Sequence, residues 1–347
     1  MLTRRELLAL IASSVALKRV RAAEAPFGRI NAHTHIYRSI PALLASMEKA
    51  NWRALSICTF EAFGDEPDNV DDLIRRVAGV HRESKGRIAW ATTFDARGFE
   101  SPDFVSRTSA GLRRSYDQGA IAVKIWKTIG MGIKSKSGQY LMPDDKALLP
   151  IYESILKDGR TLIAHLAEPN AAWLPSDDKY PYAGYYRSNP KWHMYTHPEA
   201  PRKEEILAAR DRVLARFPKL RVVGCHLGSN EEDFKALARR LDAYPNFAVD
   251  VAARVRHFFD VDRDTARQFL DKYQDRIIYG SDFVMGNMDD DQVVKSLNSS
   301  EEREWTMFSS SGTVTFRNRE VQGLGLSEGM LRKIFHDNAV RWIPGIA

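Results

Sequence analysis

The chain has 347 residues, 44% of them hydrophobic and 28% charged, with a formal net charge of +6. This balance describes a soluble globular protein with room for one large domain or two ordinary ones. Half of the net charge belongs to the first 25 residues (Arg4, Arg5, Lys18, Arg19 and Arg21 against Glu6 and Glu24), so the remainder carries no nucleic-acid signal. The two cysteines, Cys58 and Cys225, lie within apolar runs and read as buried small hydrophobes, not as a disulfide framework.

The chain opens on Thr3-Arg4-Arg5-Glu6-Leu7-Leu8, an apolar run to Leu17, and Ala22-Ala23-Glu24-Ala25. A charged start, an apolar middle and a small-residue end are the parts of an export signal. The run is too short to span a bilayer comfortably, so no stable membrane anchor is expected. The paired arginines followed by leucines resemble a twin-arginine signal. Lys18, Arg19 and Arg21 suit that route better than the Sec route, which positive charge after the apolar run hinders. The expectation is a folded, cofactor-loaded protein carried to the periplasm by the twin-arginine machinery, with residues 26–347 forming a single domain.

From residue 27 onward, short apolar strands alternate with helical patterns. Strands are predicted at 28–35, 53–60, 87–94, 120–126, 160–167, 220–227, 247–253 and 277–283, each rich in Ile, Val, Leu or Ala. Val70-Leu73-Ile74-Val77-Val80 has helical spacing, and Glu231 to Leu241 reads as a helix with acidic residues at its start and Arg239 and Arg240 near its end. Eight strand–helix repeats over about 250 residues predict an α/β protein of the (β/α)₈ TIM-barrel class. A doubly wound open sheet is the alternative, but no glycine-rich phosphate loop follows the first strand. Residues 169–202, after strand 5, form a long loop holding Trp173, Tyr180, Tyr182, Tyr185, Tyr186, Trp192 and Tyr195. Such a loop is expected to act as a lid or binding loop. Residues 286–325 are polar and read as a second flap over the barrel mouth, and Glu328 to Trp342 as a closing helix.

Polar residues fall at the carboxyl ends of the predicted strands, where barrels keep their chemistry. His33 and His35 share one side of strand 1, because strand side chains alternate. Lys124 lies inside the apolar run of strand 4, His165 ends strand 5, His226 ends strand 6, Arg254 follows strand 7, and Asp282 ends strand 8. Four imidazoles, a carboxylate and an amine would face one space. Lys127 has the opposite parity to Lys124 and is expected on the solvent side or in the loop. Trp126, Trp173 and Tyr186 are candidates for the pocket wall. Arg254 could grip a substrate carboxylate or serve as a structural ion pair.

The chain resembles the amidohydrolase superfamily, and within it the amidohydrolase-related (amidohydrolase 2) branch, which includes decarboxylases and hydratases. The resemblance covers residues 28–345 and rests on Asn31-Ala32-His33-Thr34-His35, His165, Cys225-His226-Leu227-Gly228, Tyr279-Gly280-Ser281-Asp282 and Asp337-Asn338-Ala339. It implies that His33, His35 and Asp282 bind a divalent metal, with Asp282 also accepting a proton from the attacking water. His165 would bind that ion or a second one, and His226 would be a second-metal ligand or a general acid/base. Lys124 would be N6-carboxylated and bridge two ions, or remain an amine that contacts an anionic substrate. Zinc is the first expectation; manganese and iron suit the same ligands. Such an ion lowers the pKa of bound water to about 7 and polarises a carbonyl.

The leading expectation is therefore a metal-dependent hydrolase of an amide, ester or lactone bond in a small molecule. The alternatives are a non-oxidative decarboxylase of a small aromatic or unsaturated acid, and an exported, non-catalytic metal- or solute-binding protein. A homo-oligomer is compatible with the sequence.

Overall fold

The structure is a computed structural model that describes residues 25–60, 69–177, 179, 182–316 and 319–347. The predicted export signal, apart from Ala25, and Tyr180 lie outside the described residues. Strands β1 (Arg29–His35), β2 (Trp52–Ile57), β3 (Ile88–Thr92), β4 (Ala120–Ile125), β5 (Thr161–Ala164), β6 (Val222–Gly224), β7 (Phe247–Asp250) and β8 (Ile277–Ile278) pair in sequence order, all parallel. A ninth short strand, β9 (Phe283–Val284), pairs with β1. β8 and β9 are two halves of one strand position. Its first half bonds to β7, and Ala32 N–H to Tyr279 O (3.0 Å) and Asp282 N–H to His33 O (2.9 Å) join its later residues to β1. The ring is thereby closed into the predicted TIM barrel.

Helices α1 (Pro41–Lys49), α2 (Val70–Glu83), α3 (Phe104–Asp117), α4 (Leu149–Lys157), α5 (Ala183–Ser188), α6 (Lys203–Arg216), α7 (Phe234–Ala243) and α8 (Arg263–Tyr273) follow in turn. Most of them place an apolar stripe on the barrel's outside. In α2, for instance, Val77, Ala78 and Val80 are buried, and Asn69 caps the amino end by accepting from the N–H of Asp71 and Asp72.

Two predicted segments differ. The helix expected from Glu231 begins at Phe234, because Asp233 caps it by accepting from Ala236 N–H; Glu231 lies outside it and is buried. The polar stretch 286–325 is not a flap. It contains the 20-residue helix α9 (Asp290–Ser309), which buries Val293, Leu297, Trp305 and Phe308, followed by the hairpin β10 (Thr313–Phe316) and β11 (Arg319–Gln322). The apolar stripe is real but diluted by Ser, Asn and Glu. The closing segment is helical as predicted, as α10 (Glu328–Arg332), a π-helical stretch (Lys333–Asp337) and α11 (Asn338–Trp342).

The barrel interior has two levels. Leu55, Ala89, Ile121, Ile163, Val223, Ala248 and Ile278 form an apolar floor, sealed from below by Ala339, Trp342, Ile343 and Ile346. Above it stand Lys124, His165, Asp250 and Asp282, with the β1 histidines. β1 reaches that level through an irregularity: its register with β2 shifts between Asn31 and Thr34. Ile30 and Ala32 therefore belong to the floor cluster while His33 and His35 face the mouth. No helix among the described residues is long and apolar enough to cross a membrane.

Candidate metal centre and its pocket

A cavity of about 450 Å³ opens at the carboxyl ends of the strands. His33, His35, Lys124, Trp126, His165, His226, Arg254 and Asp282, all predicted from sequence, line it. So do Tyr37, Lys127, Glu168, Tyr182 and Tyr185.

Among the described residues two groups bring one ligand atom of each member within 4.8 Å of the others: His33, His35 and Asp282, which all line the cavity, and His33, Cys225 and Asp250 behind them. Asp282 Oδ1 is 3.4 Å from His33 Nε2 and 3.3 Å from His35 Nε2. The other ring nitrogens define the tautomers. His33 Nδ1 faces the Asp250 carboxylate at 2.8 Å, and His35 Nδ1 faces the carbonyl of Ile57 at 2.9 Å. Both partners only accept, so both Nδ1 atoms carry protons and both Nε2 atoms point towards Asp282. Burial disfavours charge on His33, but Asp250 outweighs burial and raises its pKa to about 10, so without an ion its Nε2 is protonated too, while burial holds His35 below its ordinary value. A divalent ion would take the place of that proton between the two Nε2 atoms and the Asp282 oxygen. His165 adds a buried Nε2 without a hydrogen-bond partner. This donor set fits a divalent ion such as zinc.

Asp250 was missed by the sequence reading. It is buried, faces inward at the end of β7, and its Oδ1 accepts from the N–H of His226 (2.7 Å) and Ala252 (3.1 Å) while Oδ2 holds His33. Burial would raise its pKa, but His33 outweighs burial and holds it down to about 2. The same balance, with His226, His35 and His33 as the neighbours, keeps Asp282 well below the usual carboxylate range. Burial pushes the His226 imidazole down to about 3 and leaves His165 well below its ordinary value.

His226 owes its position to an uncommon backbone. His226, Leu227, Gly228 and Ser229 have φ of 58°, 56°, 58° and 59°, a single left-handed turn directly after β6. L-residues disfavour this by roughly 1–2 kcal/mol each. The turn is held by Ser229 N–H to His226 O (3.1 Å), Arg210 Nη1 to Gly228 O (2.6 Å) and Ser229 Oγ to Leu166 O (2.6 Å). It aims His226 Nδ1 at the carbonyl of Ala252, 2.8 Å away, and leaves Nε2 as the free nitrogen. Ala167, Ala253 and Asp282 also have positive φ, so backbone strain gathers at the mouth of the barrel.

Lys124 lines the cavity as predicted, whereas Trp173 and Tyr186 do not. Lys124 Nζ donates to Cys225 Sγ at 2.8 Å across the interior. Trp173 does not line the cavity; its Nε1 donates to Pro201 O (3.0 Å) and packs the loop on itself. Tyr186 is buried behind the wall, donating to Glu168 Oε2 at 3.0 Å. Lys127 lies in the loop after β4, one of its two predicted places, but it is buried and not on the solvent side. β4 ends at Ile125, so parity no longer applies two residues on, and Lys127 turns inward. It is paired with buried Glu168, bonded to Tyr185 Oη (3.0 Å) and set over the rings of Trp192 and Trp126. Burial disfavours its charge, but Glu168 and Tyr185 outweigh burial and raise its pKa. Arg254 lines the cavity and lies 3.6 Å from the buried Glu231 carboxylate, the structural ion pair that was one of its two predicted roles.

A closed parallel barrel with imidazoles and an aspartate converging at its carboxyl-end mouth defines a barrel protein with a candidate metal-binding group at that site. Within that class the chain belongs to the amidohydrolase family, whose sequence model matches residues 30–344. Membership supports an enzyme and not a non-catalytic binding protein. No curated protein matches the sequence. Among solved structures, the chain is similar to 2,6-dihydroxybenzoate decarboxylase complexed with 2,6-dihydroxybenzoate, with 15% identity, a TM-score of 0.50 and coverage of 91% of this chain and 99% of that one. The enzyme of that name from Rhizobium gives 15% identity, a TM-score of 0.49 and coverage of 91% and 98%. A Pseudomonas putida protein proposed to be a 2-pyrone-4,6-dicarboxylic acid hydrolase gives 13% identity, a TM-score of 0.50 and coverage of 92% and 98%.

Proposed function

We propose that the protein is a metal-dependent hydrolase of a small molecule with an amide, ester or lactone bond. The observation that carries this reading is the convergence of Asp282 Oδ1 on the two Nε2 atoms of His33 and His35. His33, His35 and Asp282 would hold the ion, with His165 beside them. When bound, a divalent ion lowers the pKa of water and polarises a carbonyl. Asp282, an ionised carboxylate beside that position, accepts the proton of the attacking water. His226, neutral with a free Nε2, is a second acceptor. Trp126, Tyr182 and Tyr185 wall the pocket and limit water, and Lys127 and Arg254 favour a substrate with an anionic group.

The proton balance separates this reading from its rival. The two groups assigned to activate water, ionised Asp282 and neutral His226, take protons; decarboxylation requires one to be delivered to carbon. The rival is non-oxidative decarboxylation, favoured by the three basic side chains of the pocket, Lys124, Lys127 and Arg254, and by a structural relative named for that reaction.

The deciding experiment uses protein loaded with zinc, manganese or iron and incubated in ¹⁸O-water with esters, lactones, amides and aromatic acids. Product acid carrying solvent oxygen, lost in Asp282→Asn, is the expected result. Carbon dioxide release without oxygen incorporation would establish the rival. We also propose twin-arginine export. Replacing Arg4 and Arg5 by lysine should retain the precursor in the cytoplasm, and undiminished export would exclude that route.

A further inference from the structure

Behind the metal centre, on the outer side of β1, lies a polar cluster that the proposed chemistry does not use. Asn31 is fully buried, two residues before His33. Its Oδ1 accepts from the backbone N–H of Ser281 (3.0 Å) and of His33 (3.3 Å). Its Nδ2 donates to Ser281 Oγ (2.8 Å) and to Glu301 Oε1 of α9 (2.5 Å). Ser281 Oγ accepts in turn from Phe283 N–H at 3.2 Å. One amide thus fixes the backbone on both sides of Asp282 and ties it to the strand that carries His33.

An amide can be turned over, and only one orientation serves here. Glu301 supplies the reason. Its Oε1 also receives the Tyr279 hydroxyl at 3.2 Å. An oxygen that receives two donors is an acceptor, so Asn31 must show it the NH₂ end. That turns Oδ1 towards the two strand N–H groups. A buried carboxyl whose other oxygen has no partner is costly. Orienting Asn31 gives it a purpose.

We infer that Glu301, acting through Asn31, is a positioning residue that sets Asp282 against His33 and thereby the affinity for the ion. The inference rests on the metal-centre reading given above, but its test does not depend on it alone. Asn31→Asp places a second acceptor against Glu301 and removes the lock. Adding Glu301→Gln restores a donor–acceptor pair with the roles exchanged, and the remaining oxygen of the residue 31 carboxylate still faces the two N–H groups.

Two quantities are measured on the full chain: zinc affinity by chelator competition, and amide hydrogen exchange at residues 281–283 of the metal-free protein. Asn31→Asp should lower zinc affinity about 10- to 100-fold, the range for loss of a group that orients a ligand. It should also speed exchange at those amides. The double variant should bring both back towards wild type. Unchanged exchange and affinity in Asn31→Asp, or a double variant no better than the single one, would overturn the inference. Should Asn31→Asp not fold, Glu301→Leu, which offers Asn31 no acceptor, is compared in the same way: faster exchange supports the lock and unchanged exchange removes it. A wild-type protein that binds no zinc would sink the metal-centre reading, while the exchange comparison would still decide the lock.

Discussion

At the scale of single residues, the centre depends on groups set behind the side chains that line the cavity. Asp250 shows this most directly. Its two oxygens hold the His33 ring and the His226 backbone. Asp250→Asn keeps the volume but can offer its NH₂ to His33 Nδ1, which inverts the tautomer and turns the Nε2 lone pair away from the ion. Zinc affinity should fall about 10- to 100-fold. Chelator competition on the folded variant checks it, and wild-type affinity would mean that Asp250 is only a packing group. The ligand histidines and Asp282 were legible because each ends or follows an apolar run. Asp250 gave the same signal, closing Phe247-Ala248-Val249, and could have been found by the same rule. Lys127 and Glu168 were not legible. Both stand beyond the last paired residue of their strands, where the period of two no longer says which way a side chain points.

At the scale of elements, α5 and α9 show what a long loop and a diluted stripe conceal. α5 is latched to the pocket wall by adjacent tyrosines, Tyr185 on Lys127 and Tyr186 on Glu168. Lys127→Met should destabilise the fold by about 3–5 kcal/mol, because Glu168 is left buried and uncompensated. Adding Glu168→Gln should recover much of that loss in denaturant unfolding, and no recovery would mean that the ion pair is not the latch. In α9, Glu304 shares the Tyr279 hydroxyl with Glu301. Burial, then the neighbouring Glu301, pushes Glu304 up to about 8 from 4.5. The folded state therefore binds the proton more tightly than the unfolded state. Stability is full below the unfolded value and is lost as pH rises towards about 8. Glu304→Gln should flatten this slope and unfold at higher denaturant than wild type above that pH. A slope unchanged in the variant would assign the dependence to other groups. The sequence hid this helix because Val293, Leu297, Trp305 and Phe308 are spread among polar residues.

At the scale of the whole molecule, the barrel separates stability from chemistry along its axis. Alternation brought the two levels within reach of the sequence: Ala122 and Lys124 on β4, or Ala248 and Asp250 on β7, lie two apart on one strand, the first in the floor and the second towards the metal centre. The stopper was not readable, since nothing in a helical pattern says which end of a barrel it will close. Trp342, nearly buried, fills the base of the floor. Its Nε1 donates to Asp275 O (3.0 Å) and its carbonyl accepts from Thr161 Oγ1 (2.6 Å). Trp342→Ala should cost about 3–5 kcal/mol in denaturant unfolding, from lost burial plus the cavity left behind. The floor between them is apolar and closely packed, and the ligand-orienting bonds of Asp250 and Asn31 lie above it. Zinc affinity of the folded variant should therefore stay near wild type. A loss of affinity as large as that of Asp250→Asn would show that the floor transmits strain to the ligands, and the division along the axis would be wrong.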